Sequence, residues 1–155
     1  MTLAEIQKAT KATLISDSID TNIVELLIDS RKIINPATAL FIAIKGTLRD
    51  GHQFIEDAYQ KGVRSFLVSE DIAAKNYSGA NFLIVNDTLN ALHQLAAAHR
   101  NQFNFPVIGI TGSNGKTIIK EWLFQLLSDN YNIVRSPKSY NSQIGVPLSV
   151  WRMQA

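Results

Sequence analysis

Short apolar runs alternate along this chain with stretches whose apolar residues recur every three to four positions. "NIVELLI" (22–28), "LFIAI" (40–44), "VRSFLVS" (63–69) and "NFLIV" (81–85) have the length and apolar content of strands. Between the second and third, "HQFIEDAYQKG" (52–62) sets Phe54, Ile55, Ala58 and Tyr59 on one helical face, and Gly62 supplies the stop. Asp87 is a natural N-cap for "TLNALHQLAAAHR" (88–100), where Leu89, Leu92, Leu95, Ala96 and His99 follow the 3.6-residue repeat. Strands alternating with helices predict an α/β fold.

The polar stretch "NQFNFP" (101–106) reads as a linker. After it, "VIGIT" (107–111) predicts a short buried strand, followed by a glycine-rich loop. The helix "IIKEWLFQLLSDN" (118–130) then carries a wide apolar face of Ile118, Ile119, Trp122, Leu123, Leu126 and Leu127, and "YNIVRSP" (131–137) predicts a further strand. The expected organisation is a small N-terminal α/β domain over residues 1–103 and the beginning of a second α/β domain over 104–155. Too few residues follow Pro106 to complete a nucleotide-binding sheet, so the second domain is expected to be truncated. No internal repeat or low-complexity segment is visible.

Composition narrows the function. With 46% hydrophobic residues among 155, the chain can bury a core. Its 15 basic and 13 acidic side chains are interspersed, and the net charge of +2 with no Lys/Arg block argues against nucleic acid as a partner. There is no cysteine, which excludes disulfides, thiolate metal sites and a thiol nucleophile. No apolar run approaches the roughly 20 residues that span a bilayer, and "MTLAEIQKAT" lacks the basic and apolar regions of a secretory leader. The expectation is a cytoplasmic protein with no membrane insertion.

The chemistry centres on "GITGSNGKT" (109–117). The usual phosphate-loop pattern, G-x-x-x-x-G-K-[ST], requires glycine five residues before Gly115, where Ile110 stands. What the stretch does have is Gly109, Gly112 and Gly115 at three-residue spacing, then Lys116 and Thr117. A strand before it and a helix after it supply the context in which backbone N–H groups and a helix N-terminus cradle phosphate. Lys116 would reach the β and γ phosphates of ATP, and Thr117 would offer its hydroxyl to Mg²⁺. The plainer alternative is a glycine turn with a solvated lysine. Three glycines, the flanks and the consecutive Lys-Thr favour the phosphate reading.

"GITGSNGKT", the following "IKEWL" and "YNSQIGVPLSVW", and the upstream "DSRKIINPATALFIAIKGTLRDGHQFIEDAYQKG" (29–62) together resemble the Mur ligase family of peptidoglycan-building amide synthetases. The resemblance runs from about residue 22 to 151. It implies an N-terminal module that binds the UDP end of a substrate and a central ATP-binding domain with a variant phosphate loop. Within the family, "NSQIGVPL" is most similar to the branch that joins D-alanyl-D-alanine to UDP-N-acetylmuramoyl-tripeptide. Ser142 and Gln143 depart from the Asn and Glu of that pattern, and "KTIIK" replaces a more usual "KTTTK".

Residue by residue, the resemblance places ATP on Thr111, Gly112, Ser113, Asn114, Gly115, Lys116 and Thr117, with Lys116 as the catalytic cation and Thr117 beside Mg²⁺. It places the substrate on Ser30 and Arg31, on the loop Gly46, Thr47, Leu48 and Arg49, and on Asn141. A guanidinium such as Arg31 suits phosphate because its fork bonds two oxygens at once. Read without the resemblance, Asp29 to Arg31 is a surface turn with a local ion pair, and "YNSQ" is equally a polar turn. Asp50, Gly51 and His52 read as a turn capping the helix from Gln53. His93 and His99 lack paired ligand spacing and read as packing or surface residues. The implied reaction is amide formation through an acyl phosphate, with this chain a non-catalytic N-terminal fragment. Two alternatives stay open: the family's ligase for the third amino acid, which acts on UDP-muramoyl dipeptide, and a non-catalytic UDP-sugar or nucleotide-binding module.

Overall fold

The computed structural model describes residues 1–16, 20–46, 49–137, 140 and 142–154. Its centre is a five-stranded sheet: β1 (Thr13–Ile15), β2 (Glu25–Leu27), β3 (Ala39–Ile42), β4 (Ser65–Val68) and β5 (Asn81–Ile84), in the order β1-β5-β4-β3-β2. Strands β2 to β5 run parallel, and β1 closes the far edge antiparallel to β5. Every residue of β3 and β4 is buried, as expected of parallel strands covered on both faces. The four runs anticipated as strands are these four parallel strands, trimmed by a residue or more where pairing stops.

Side-chain alternation divides the core in two. Leu40, Ile42, Leu67 and Leu83 point to one face and meet Leu3 and Ile6 of α1 (Leu3–Thr10) and Ala91, Leu92 and Leu95 of α3 (Thr88–Arg100). Phe41, Phe66, Val68 and Phe82 point to the other and meet Ile55 and Ala58 of α2 (Ile55–Gln60). The register sets Phe66 opposite Phe41 on one side and Phe82 on the other. Their rings follow, edge-on at 6.3 Å and stacked at 5.1 Å, the offset contacts that aromatic quadrupoles favour.

Local chemistry sets the helix ends. Thr2 and Glu5 form a reciprocal capping box at the start of α1. Gly62, at φ +95°, follows the end of α2. Asp87 caps α3 as anticipated, accepting from the amides of Leu89 at 2.8 Å and Asn90 at 3.1 Å. Thr88, buried at the first position of α3, donates its hydroxyl to the carbonyl of Ala43 at 3.0 Å, which ties this helix start to the end of β3.

Two anticipated strands are not strands. Residues 107–111 and 131–137 have no regular structure, and Val107 and Ile108 are exposed rather than buried. A strand needs a neighbour for its N–H and C=O groups, and no described strand lies beside either segment. The helix between them does form, as α4 (Lys116–Leu127), with Trp122 62% and Leu126 73% exposed on its apolar face.

The last described segment returns to the sheet. Helix α5 (Gly145–Val150) packs on α3, and Trp151 after it enters the core formed with α1 and α3, only 8% exposed. Its indole N–H donates to the carbonyl of Val24 at 2.8 Å. Two histidines of α3 secure the same segment through their Nε2 atoms. His93 donates to the carbonyl of Gln143 at 2.7 Å, and His99 to that of Met153 at 3.0 Å. The His99 ring also lies 4.5 Å from that of Trp151. His99 is therefore a packing residue, and His93 a surface residue that holds the Gln143 carbonyl.

Truncating Trp151 removes a buried aromatic and leaves the Val24 carbonyl without its donor. Trp151→Ala should lower unfolding free energy by about 3 kcal/mol in urea titrations. Burial pushes the His99 imidazole below its ordinary value because the charged ring is costly away from water. The unfolded chain therefore takes up this proton first as pH falls, so the contribution is complete above the ordinary histidine range and declines through it. Between about pH 7.5 and pH 5, wild type should lose more stability than His99→Phe.

Candidate nucleotide sites

Because β2 to β5 are parallel, their carboxyl ends share one edge of the sheet. In open α/β sheets this is the edge that offers a ligand crevice. The turn Ser30–Lys32 follows β2, the segment 43–51 follows β3, Ser69 and Glu70 follow β4, and Asp87 follows β5 shortly before α3.

In the first turn, Asp29 accepts from the Arg31 amide at 3.0 Å and takes both guanidinium contacts, Nε at 2.9 Å and Nη2 at 2.8 Å. The Arg31 guanidinium and amide hold the Asp29 carboxyl well below its usual range. Arg31 is thus a 77% exposed cation whose fork is held by its own neighbour, the local ion pair that the residues alone suggested. Ser30 is buried, and its carbonyl accepts from Lys61 Nζ at 3.1 Å. Asp57 is held below its usual value first by Lys61 and then by the Ser30 hydroxyl. Ser30 is therefore turned into the fold, and Arg31 is turned outward.

After β3, residues 44–46 pair with residues 49–51. Lys45 and Asp50 form an antiparallel bridge, the Gly51 amide donates to Ile44 O at 2.9 Å, and the Gly46 amide donates to Arg49 O at 2.9 Å. Gly51 is required by space: a Cβ there would lie 2.7 Å from the Ile44 nitrogen and 2.9 Å from the Ala43 carbonyl carbon. Of the four residues expected to wrap the uridine nucleotide, Gly46 and Arg49 close the described part of this loop. Thr47 and Leu48 lie outside the described residues, as does Asn141.

Asp50 caps the turn Gly51–Phe54 that leads into α2, accepting from the His52 amide at 2.9 Å, as the sequence suggested. The His52 ring does more than the sequence showed. Its Nε2 accepts from the Ser69 amide at 3.0 Å, and its Nδ1 lies 2.5 Å from Asp50 Oδ1. Hydrogen bonds from the His52 amide and then its ring lower the Asp50 carboxyl pKa. Lys45 Nζ reaches Glu70 at 2.6 Å and Asp50 at 3.9 Å. Asp50, His52 and Glu70 come close enough to suggest a metal site. The donor chemistry argues otherwise, because the Ser69 amide occupies the His52 Nε2 lone pair, His52 Nδ1 is engaged by Asp50, and the Lys45 ammonium is held on Glu70. No periodicity marks His52, since its partner Ser69 lies on another strand end, 17 residues away.

The glycine loop is built from backbone donors. Gly112 and Gly115 adopt φ of +145° and +79°, the left-handed region that side chains resist, and Gly115 is the residue before α4. Among the described residues, the amides of Gly112, Ser113, Asn114 and Gly115 donate to no backbone or side-chain acceptor. Lys116 folds its ammonium back onto the Gly112 carbonyl and lies 3.5 Å from that of Ser113. Free amides, the N-terminus of a twelve-residue helix and one lysine over the loop form a donor set suited to phosphate. Thr111 and Thr117 are exposed at its two ends, and Thr117 is the hydroxyl that follows the lysine directly.

Known proteins carry the same pair of regions. Residues 22–100, half of the chain, match the model described as "Mur ligase family, catalytic domain", and residues 110–155 match "Mur ligase middle domain". The UDP-N-acetylmuramoyl-tripeptide--D-alanyl-D-alanine ligase of Bacillus subtilis is 35% identical over 153 residues, covering 98% of this chain and 33% of that protein. The solved UDP-N-acetylmuramoylalanyl-D-glutamyl-2,6-diaminopimelate--D-alanyl-D-alanyl ligase of Acinetobacter baumannii superposes with a TM-score of 0.87 at 32% identity, over 99% of this chain and 33% of that one. A MurF ligase of Thermotoga maritima, solved in complex with ADP, superposes with a TM-score of 0.71 at 27% identity, over 87% of this chain and 30% of that one. The chain spans about a third of the length of these relatives. With the sheet-edge segment after β3 inside one matched region and the glycine loop inside the other, the chain belongs to the Mur ligase family.

Proposed function

We propose that this chain supplies the uridine-nucleotide module, residues 1–103, and the ATP loop, within 104–155, of a ligase. The complete enzyme joins D-alanyl-D-alanine to UDP-N-acetylmuramoyl-tripeptide in peptidoglycan precursor synthesis. The observation that carries the reading is the glycine loop, with free amides from Gly112 to Gly115 ahead of α4 and Lys116 lying over them. Two of the relatives described above are named for D-alanyl-D-alanine ligation, and a third was solved with ADP.

In this reading the amides from Thr111 to Thr117 and the α4 N-terminus receive the phosphates, and Lys116 exchanges its carbonyl contacts for β and γ phosphate oxygens. The Thr117 hydroxyl would help to hold Mg²⁺, which would supply neutralisation of phosphate charge. The tripeptide carboxylate attacks the γ-phosphorus to form an acyl phosphate and ADP. The amine of D-alanyl-D-alanine then displaces inorganic phosphate and loses a proton. A carboxylate is a poor acyl donor, so phosphorylation creates the leaving group, and catalysis of that step is mainly positioning and charge neutralisation. At the sheet edge, Arg31 and the Gly46–Arg49 loop hold the UDP end. Arg31 is exposed there and can trade Asp29 for a diphosphate.

Lys116→Ala in the complete ligase should reduce ATP-dependent turnover by at least about a thousandfold and leave binding of the UDP substrate within about twofold. Turnover equal to wild type would refute the loop assignment. A product assay on the complete enzyme should show acceptance of D-alanyl-D-alanine by UDP-muramoyl tripeptide. Exclusive addition of a single amino acid to UDP-muramoyl dipeptide would move the assignment to the preceding ligase. Binding of UDP and ATP with no ligation of either acceptor would favour a non-catalytic module.

A further inference from the structure

No residue of 104–137 belongs to the core on either face of the sheet. The chain leaves the sheet body at the end of α3 and returns to the same helix. On the way out, Arg100 donates to the carbonyls of Phe103 at 2.6 Å and Phe105 at 3.3 Å, and the Phe103 ring lies edge-on to His99 at 5.1 Å. On the way back, His93 holds the Gln143 carbonyl and His99 that of Met153. The returning residues 142–153 pair with no strand. They are attached by packing of α5 on α3, by these two histidine bonds and by the Trp151 indole on the Val24 carbonyl. They form a strap laid over a finished body, and its release would leave the strand ladder intact.

The two histidines are not equivalent. His93 is exposed, whereas the His99 ring is wedged between those of Trp151 and Phe103. Because the Met153 carbonyl can only accept, Nε2 carries the proton of the neutral ring and Nδ1 is bare. That Nδ1 is buried and has no hydrogen-bond partner among the described residues. A second proton must go there, which places charge between aromatic rings and away from water. Burial is the main cause that holds this imidazole below its ordinary value. The Met1 ammonium ahead of α1 acts in the same sense, while the Met153 and Trp151 carbonyls oppose both. Arg100, beside it on α3, is engaged with carbonyls, and Arg152 on the strap is exposed. Neither cation can stabilise a histidinium, and no described carboxylate contributes.

We propose that residues 142–153 are a strap whose closure on α3 is proton-linked through His99. With the strap closed, the stretch 104–137 and its glycine loop are held to the body at both ends. With the strap released, that stretch is tethered only where it leaves α3. Release returns His99 to water, so the open form takes up its proton at a higher pH than the closed form. The open fraction therefore rises as pH falls through the ordinary histidine range. This device is independent of which ligand the glycine loop receives.

Amide exchange of the purified chain, expressed as protection relative to the unfolded chain at each pH, tests the strap. The amides of Leu148, Trp151 and Met153 donate to the carbonyls of Ile144, Pro147 and Val150 and report its closure. At pH 7.5 they should be at least about tenfold less protected than those of β3 and β4, and low urea should leave their exchange unchanged, the mark of a local opening. At pH 5 they should have lost at least about twofold more protection, and His99→Gln, with a neutral amide in place of the ring, should lose none. If His99→Gln does not fold, the wild-type ring signal carries the comparison, and it should titrate below the ordinary histidine value. Strap amides as protected as the strands, protection that does not change with pH, an equal loss in His99→Gln, or a ring titrating at or above the ordinary value would each overturn the proposal.

Discussion

Burial of β3 and β4 on both faces is the constraint from which the rest of the fold follows. No side chain of these two strands reaches water, so each face of the sheet needs its own apolar cover. Leu40, Ile42 and Leu67 receive α1 and α3 on one side, and Phe41, Phe66 and Val68 receive α2 on the other. Trp151 joins the first of these layers from far along the chain, and its indole N–H finds the Val24 carbonyl just ahead of β2. The same parallel arrangement gathers four strand ends at one edge, where backbone groups leave the ladder and are free to be aimed.

The two candidate nucleotide regions are built differently. At the sheet edge, charge is already paired, Arg31 with Asp29 and Lys45 with Glu70, and Asp50 is hydrogen-bonded to the His52 ring. A ligand proposed for this edge would compete with the exposed Arg31–Asp29 ion pair. At the glycine loop, the backbone supplies the donors, and positive φ at Gly112 and Gly115 turns the chain into the helix without a Cβ in the way. Its only partnered cation, Lys116, is satisfied by carbonyls of the loop itself, a contact that a phosphate readily replaces.

Much of this was legible in the sequence because it is local. The strands β2 to β5 are dense apolar runs, and α3 begins at an Asp87 cap that one can read directly. Gly62, Asp50 and the helix after Lys116 are equally local signals. Residues 107–111 and 131–137 have strand-like composition, but composition cannot supply a pairing partner, and they stay irregular. The short β1 was missed because it is half-exposed and too brief for periodicity; α1 was missed although Thr2 and Glu5 spell its capping box. What sequence reasoning could not reach is contact at a distance: His52 with Ser69, His93 and His99 with the α5 segment, and Trp151 with Val24, 127 residues away. Each of those depends on where the sheet brings separate strands and helices together.

The most direct test of two separate nucleotide sites on one chain is amide chemical-shift mapping with UDP and with Mg²⁺-ATP added singly. UDP should move the signals of Arg31, Gly46 and Arg49 and leave those of Gly112 to Thr117 in place, whereas Mg²⁺-ATP should do the reverse. Both ligands shifting the same set of amides, or UDP shifting only the glycine loop, would contradict the assignment of the sheet edge to the uridine nucleotide and the glycine loop to ATP.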